Sequence, residues 1–386
     1  MVGSYYPKNV PHHGHLQDML AALYGFVRKN TVFVISAVLA AVSCIIVPPD
    51  SGYKGYLDLK TLTCLFCTLA VVCALKNVRF FTKIAEKIVA LTGNVRMAIL
   101  VLVCITFIGS MLIANDMALL TFLPLGYYLL SSTAKEKYMA YLFVLQNIAA
   151  NLGGMLTPFG NPQNLYIYEK FGIPNSEFIR IMFPSFALAV GLIILCCLPI
   201  KKEKLTLKSR DFAPLPRRKT GAYLLLFALS VMLVFNVVPY FFGLVLIPLA
   251  LFFLDRKALG DVDYILLLTF CAFFVFAGNM SRVGAVREFF SFLLEKNTLI
   301  TSALCCQFIS NVPSAILLSQ FTDNYRELLV GVNIGGTGTL IASLASLITF
   351  KQYVATGGEA KKYIVLFSAM NFGFLALMLV FCSLVK

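Results

Sequence analysis

Apolar runs long enough to cross a membrane alternate along this chain with short basic stretches, and their spacing predicts helices throughout. Runs at about 31–47 and 59–75 read as spans, the first stopped by Pro48 and Pro49. Between Asn77 and Asn94 the pattern changes. Val78, Phe81, Ile84, Ala85, Ile88 and Val89 recur at helical spacing, while Arg79, Lys83, Glu86 and Lys87 take the other face. That is a helix lying in the membrane surface. The apolar run from Met97 to Ser131 is interrupted at Ala114, Asn115 and Asp116, with Arg96 before it and Lys135 and Lys137 after it. Basic residues at both ends predict a re-entrant hairpin with Asn115 and Asp116 at its tip, and its length also allows two full spans. A broken segment at about 139–171 and a span at about 178–199 follow.

The same order returns after a polar stretch at 201–219. Spans are predicted at about 221–238, 241–254 and 264–279, then a second surface helix at 283–296. A second interrupted run covers 298–322, centred on Ser310-Asn311-Val312-Pro313, and a broken segment and a span at about 363–385 close the chain. The broken segments are near copies: Asn151 to Tyr168, NLGGMLTPFGNPQNLYIY, recurs at Asn333 to Phe350 as NIGGTGTLIASLASLITF. At a constant offset of 182 residues Asn151 meets Asn333, Gly153 and Gly154 meet Gly335 and Gly336, and Thr157 meets Thr339. An ungapped internal match indicates a duplicated architecture. Counting crossings turns the second copy over relative to the first, which predicts two inverted repeats.

Composition narrows the class. At 59% hydrophobic and 13% charged residues in a chain of 386, with mean hydropathy +0.85, this is a polytopic membrane protein. The net charge of +14 does not indicate nucleic acid, because the basic residues punctuate apolar runs instead of forming one patch. On the predicted layout, 23 of the 32 Lys and Arg residues fall on the cytoplasmic side, as the positive-inside rule requires. The eleven cysteines all lie in apolar runs as small hydrophobes, and the Cys64/Cys67 pair lacks the further ligands a zinc site needs. The three histidines, His12, His13 and His15, sit in a polar N-terminal tail preceded by no cleavable leader pattern and followed by an amphipathic prelude at Leu16–Val27.

The chemistry concentrates at the interruptions. A helix break inside lipid exposes backbone groups that only a polar cavity can satisfy, and paired breaks in two halves point to a midplane binding site. Asn115 and Asp116 facing Gly153 and Gly154 would form one clamp on a dehydrated ion. Ser310 and Asn311 facing Gly335, Gly336, Thr337 and Thr339 would form the other. Thr157, Asn161, Gln163 and Asn164, with Ser343 and Ser346, are candidates for the wall between them, although small polar residues also serve plain helix packing. Asp116 is the one acidic residue deep in an apolar run, hence a cation ligand or proton carrier. With no histidine in the membrane, a histidine relay is excluded.

Taken together, ANDMALLTFLPL, NLGGMLTPFGNPQN, SNVPSAILL and NIGGTGTLIASLASLI resemble the ion-transporter superfamily, over residues from about 30 to 385. That group includes arsenite/antimonite permeases, citrate-type permeases, sodium/proton antiporters and divalent-anion/sodium symporters. The resemblance implies an elevator-type transporter whose scaffold dimerises, and places Asn115 and Asn311 where the symporters' Ser-Asn-Thr tips bind sodium. Here the tips read Ala-Asn-Asp and Ser-Asn-Val, so part of that hydroxyl set is absent.

The expectation is an all-α polytopic membrane protein of two inverted repeats, each with a re-entrant hairpin and a broken helix. Residues 1–30 form a cytoplasmic tail, 31–199 the first repeat, 200–220 a basic cytoplasmic linker and 221–386 the second repeat. Its function is secondary transport of a small anion, a di- or tricarboxylate or an inorganic oxyanion, coupled to H⁺ or Na⁺. It would act as a homodimer in the cell membrane, without a cofactor or resident metal apart from Na⁺ at the Asn115 and Asn311 tips. The rivals are arsenite or antimonite efflux, Na⁺/H⁺ antiport, a passive channel and, remotely, an intramembrane protease suggested by the incomplete GxGD-like run Ala258–Asp261.

Overall fold

A computed structural model describes residues 19, 24–27, 30–205 and 215–385. Most of the N-terminal tail and prelude, including His12, His13 and His15, lies outside the described residues. So do Lys208, Arg210 and Asp211 of the linker. Among the described residues the fold is all-helical, and its chain order follows the apolar runs: α1 (Thr31–Ile46), α2 (Leu59–Asn77), α3 (Phe80–Ala90), α4 (Val95–Ile113), α5 (Asn115–Ser132), α6 (Met139–Gly153), α7 (Pro162–Lys170), α8 (Asn175–Cys197), α9 (Arg217–Val234), α10 (Tyr240–Leu254), α11 (Arg256–Gly260), α12 (Tyr264–Ser281), α13 (Gly284–Ile309), α14 (Asn311–Leu318), α15 (Tyr325–Ile334), α16 (Leu344–Ala355) and α17 (Ala360–Leu384). Short polar residues start several of them: Asp58, Asn94, Asp263 and Ser343 accept first-turn N–H groups of α2, α4, α12 and α16.

Six stretches have the length and hydropathy to cross a membrane, and α1 and α10 are shorter apolar helices. The chain is thus a multi-pass membrane protein. The boundaries shift in two places for physical reasons. The surface helix expected from Asn77 starts at Phe80, because α2 runs on to Asn77 and Arg79 turns the chain with φ +57°. The second surface helix and the arm after it part at Asn297, as the sequence predicts: its non-helical φ −164° and ψ 98° interrupt α13, and its Oδ1 accepts the N–H of Ile300 to start the arm. Each hairpin turns one residue earlier than its polar pair suggested, so Asn115 and Asn311 are the first residues of their helices.

Packing arranges the helices around the interruptions. α1 lies against α12, and α2 against α9 and α10. Hairpin arm α4 packs on α6 and arm α13 on α15, while α5 meets α16 and α14 meets α7 across the halves. Polar bonds between loops sort onto two levels. The axis of α2 rises about 25 Å from Lys60 to Asn77; Lys60 pairs with Glu169 at one end and Asn77 donates to Asp255 at the other. The Asp50–Arg282 pair joins the 47–58 loop to the end of α12.

The linker is fastened to the hairpin base. Glu203 accepts from Lys135 at 2.5 Å, Lys137 at 2.6 Å and the Tyr138 hydroxyl at 2.8 Å, and Arg96 donates to the Ile200 carbonyl. Those donors hold the half-buried Glu203 carboxyl down at about 2, well below its ordinary range. A depressed carboxyl stabilises the fold above its unfolded pKa, and that contribution fades as pH falls from about 4.5 towards 2. Glu203→Gln should therefore lower the melting temperature at neutral pH, with the gap to wild type closing on acidification through that window. Thermal unfolding of both proteins in detergent across pH checks this.

Candidate functional site

Both hairpins turn through a single residue in the same unusual conformation. Ala114 has φ 64° and ψ 152°, and Ser310 has φ 73° and ψ 160°. For a residue with a Cβ this costs about 1–3 kcal/mol and persists only where its surroundings enforce it. They do so alike in both halves. The next residue, Asn115 or Asn311, folds its side-chain oxygen onto the following N–H, of Asp116 or Val312, at 2.9 Å each. Asn311 also donates its backbone N–H to the Ala342 carbonyl, and Asn115 Nδ2 reaches Asn151 Oδ1 at 3.3 Å. The tips are thereby fixed against the breaks.

The breaks fasten each other. Beyond α6 the chain runs through one 3₁₀ turn, Gly154–Leu156, to extended Thr157 and Asn161 before α7 begins. Pro162 is the first residue of α7, where its missing N–H costs nothing. Beyond α15, residues 335–342 turn irregularly and extended Ser343 starts α16. Ser343 Oγ donates to Asn151 Oδ1 at 2.8 Å, while Asn161 Nδ2 donates to Asn333 Oδ1 at 3.2 Å. Since 161 and 343, like 151 and 333, are equivalent by the repeat, one bond is the counterpart of the other.

The freed carbonyls are satisfied by a different amide in each half. Asn164 Nδ2 donates to the carbonyls of Gly154, Met155 and Thr157, and its Oδ1 accepts from Asn333. In the second break Gln307 Nε2 donates to the carbonyls of Gly335 and Thr337, and its Oε1 accepts the Thr339 N–H. Thr157 and Thr339 hydroxyls tie the breaks to the hairpin arms through the Met111 and Gln307 carbonyls. The paired glycines do not themselves unwind the helices, since Gly154 and Gly335 keep helical φ of −62° and −61°. They serve close approach: a Cβ on Gly153 would run into the Phe107 carbonyl and Ser110, and one on Gly335 would meet Ala303 and Cys306. The left-handed residue in the second break is Gly338, φ +116°.

Between the tips and α1 and α12 lies a cavity of about 530 Å³. One wall is the first turns of four helices, with Asn115 and Asp116 of α5, Pro162 and Gln163 of α7, Asn311 and Val312 of α14, and Leu344 of α16. The other wall is apolar, with Val32, Ile35, Phe270 and Phe273. A helix N-terminus carries partial positive charge, so four converging on one cavity favour an anion there. Among the described residues Asp116 is the one charged residue in the lining; it is half-buried, and its shielded Oδ1 has no hydrogen-bond partner there.

Of the residues singled out in the sequence, Asn115, Asp116, Gln163, Ser310 and Asn311 line this cavity. Asn161, Asn164 and Ser343 are buried in the seam between the breaks, bonded as described. Thr337 is buried with its hydroxyl turned back to the Ile334 carbonyl. Gly336 lies close to Asn311 Nδ2 and Asn151 Oδ1. Gly153, Gly154, Gly335, Thr157 and Thr339 shape the breaks. Missed were Gln307 and the set of Asn147, Thr349 and Asn371, which bond across α6, α16 and α17. An amide inside an apolar run was the available signal for each. Asp261 is exposed in a turn after α11, apart from the cavity.

The helical architecture with a polar centre inside apolar helices defines a membrane transporter. The match to known proteins agrees: residues 20–324 fit the family model described as citrate transporter. The chain belongs to the citrate transporter family. It is 34% identical over 295 residues to an uncharacterized transporter of Methanocaldococcus jannaschii, covering 76% of this chain and 80% of the relative. It is 30% identical over 279 residues to the inner membrane protein YbiR of Escherichia coli, covering 71% and 74%. The silicon efflux transporter LSI3 of Oryza sativa is 29% identical over 167 residues, 42% of this chain and 34% of that one. The relatives whose names state a role are transporters, not enzymes.

Gly153→Ala should lower yield and melting temperature sharply, because its new methyl runs into the Phe107 carbonyl, whereas Gly336→Ala meets nothing closer than the Asn311 amide at 3.1 Å and the Asn333 carbonyl at 3.2 Å and should be milder. Asn333→Ala leaves buried partners unpaired and should cost about 1–3 kcal/mol. Comparing melting curves of the three variants checks both statements.

Proposed function

We propose that this protein is a secondary active transporter of the elevator type that carries a small anion coupled to H⁺ or Na⁺. The observation that carries the reading is the convergence of four helix N-termini on one cavity whose lining holds a single charged group, Asp116. In this reading Asn115, Asp116, Ser310 and Asn311 contact the transported species or its coupling ion. The breaks and their glycines, threonines and amides form the frame. A carboxylate in an anion site repels the anion until a cation or proton neutralises it, which is a physical basis for coupling.

The layout we propose is two inverted repeats, 31–199 and 221–386, joined by a cytoplasmic linker at 200–220, with the N-terminus inside and the protein in the cell membrane. In its support, the matched packing of α1 on α12 and of α10 on α2 pairs first-half with second-half helices. Further support is that both tips meet at the level of the breaks, and that α14, with 8 residues or about 12 Å, is too short to cross a bilayer. The hairpins are then re-entrant. The helices α1, α2, α9, α10 and α12 form the scaffold, through which the protein dimerises, and the hairpins and broken helices form the moving carrier.

A second reading, efflux of a neutral oxyacid such as arsenite, is favoured by one observation: among the described residues no Lys, Arg or His lines the cavity. The name of the rice relative, a silicon efflux transporter, points the same way. Proteoliposomes separate the two. Saturable uptake of labelled citrate, succinate, sulfate or phosphate, driven by an imposed pH or Na⁺ gradient, is expected, and Asp116→Asn should abolish the response to the gradient. Flux of arsenite or silicic acid alone would support the second reading. Anion uptake indifferent to both gradients would refute coupling.

A further inference from the structure

A second, smaller cavity of about 80 Å³ lies behind the tip of the first hairpin. Asn115 and Asp116 line it from α5, Leu65, Thr68 and Leu69 from α2, and Asp263 from the start of α12. Asp116 is the residue of interest because it lines both cavities. Asp263 is exposed, and its Oδ1 accepts the Leu266 N–H as the cap of α12. It sits at the Asn77 end of α2, near where Cys73 contacts the Asp261 carbonyl. The small cavity therefore has an acidic mouth and an acidic inner end.

Thr68 supplies an independent observation. Several mid-helix threonines in this protein turn their hydroxyls back on the carbonyl four residues earlier, as Thr106, Thr121, Thr269 and Thr298 do. Thr68 is 7% exposed, and its Oγ1 has no partner among the described residues. A hydroxyl withheld from its own helix, beside a shielded carboxylate oxygen that also lacks a partner, is a pair of oxygens waiting for a positive charge. Among the described residues no such charge is supplied: α2, α5, α7, α12 and α16 all contribute to the lining, and Asp116 and Asp263 are its only charged residues there. A water needs roughly 10–15 Å³ of such space, so the cavity has room for a small cation with a few waters.

We propose that this smaller cavity binds the coupling monovalent cation, H⁺ carried by water or Na⁺, which enters past Asp263 and is held between Thr68 and Asp116. One inward charge, that of Asp116, calls for one positive charge. The cation and the anion then occupy separate compartments that share the Asp116 carboxylate as their wall. Filling the small cavity cancels the charge that would repel an anion in the large one. The proposal rests on the reading of the protein as a coupled anion transporter, but its test needs no anion.

The purified full chain is titrated with NaCl against choline chloride at constant ionic strength, at pH 6 and pH 8, with the melting temperature as readout. A proton site appears as a pH-dependent difference between wild type and variant at fixed Na⁺, and a sodium site as a Na⁺ midpoint at fixed pH. Asp263→Asn keeps a helix-capping side chain and removes the charge. It should weaken the cation response about tenfold. Thr68→Val should do likewise for Na⁺, with Thr68→Ser restoring it. A wild type that responds to neither cation overturns the proposal, as do Asp263→Asn and Thr68→Val responses within twofold of wild type. Because no anion is present, an intact cation response with no gradient-driven flux would sink the transport reading and leave this site standing.

Discussion

The centre of the molecule is held by two equivalent hydrogen bonds, Ser343 to Asn151 and Asn161 to Asn333. Each runs from the N-cap residue of one post-break helix to the last turn of the other half's pre-break helix. Backbone left unpaired inside an apolar body costs several kcal/mol per group, so a broken helix is stable there only if something else completes it. Here each break's freed carbonyls are met within its own half, by Asn164 and by Gln307, and the two side-chain bonds lock the halves against each other.

This dependence accounts for the strain at the tips. Ala114 and Ser310 adopt a backbone conformation that suits glycine, yet neither is glycine. The arms pack against the helices that carry the breaks, and the asparagine after each turn is bonded both locally and to the break facing it or beside it. A flexible residue would leave the tip with many conformations. An over-determined one holds four helix N-termini at fixed positions around the cavity, which is pre-organisation for a ligand that must shed water.

The two halves solve one problem with different residues. Asn164 secures the first break, where its counterpart in the second is Ser346, too short to span three carbonyls. Gln307 secures the second, where its counterpart in the first hairpin arm is Met111, which has no N–H to give. The backbone follows a like path through both breaks, and in each a single amide holds it. Charge diverged in the same way: Asp116 follows the first tip asparagine, and Val312 follows the second.

Much of this was legible in the sequence. Hydropathy fixed the helical class and most helix positions, because burial of an apolar run in lipid leaves a helix as the only local solution. The 182-residue repeat marked the breaks, and the polar interruptions marked the tips to within one residue. Local pattern could not say what the glycines were for, since only the neighbouring arm, with Phe107 and Ser110 against Gly153, gives them a purpose. Nor could it join Gln307 to a loop 28 residues on, leave the Thr68 hydroxyl unbonded, or bring Asp263 to the cavity of Asp116. Those facts depend on which faces of distant helices meet. Periodicity along one segment is blind to that, and only the packed structure decides it.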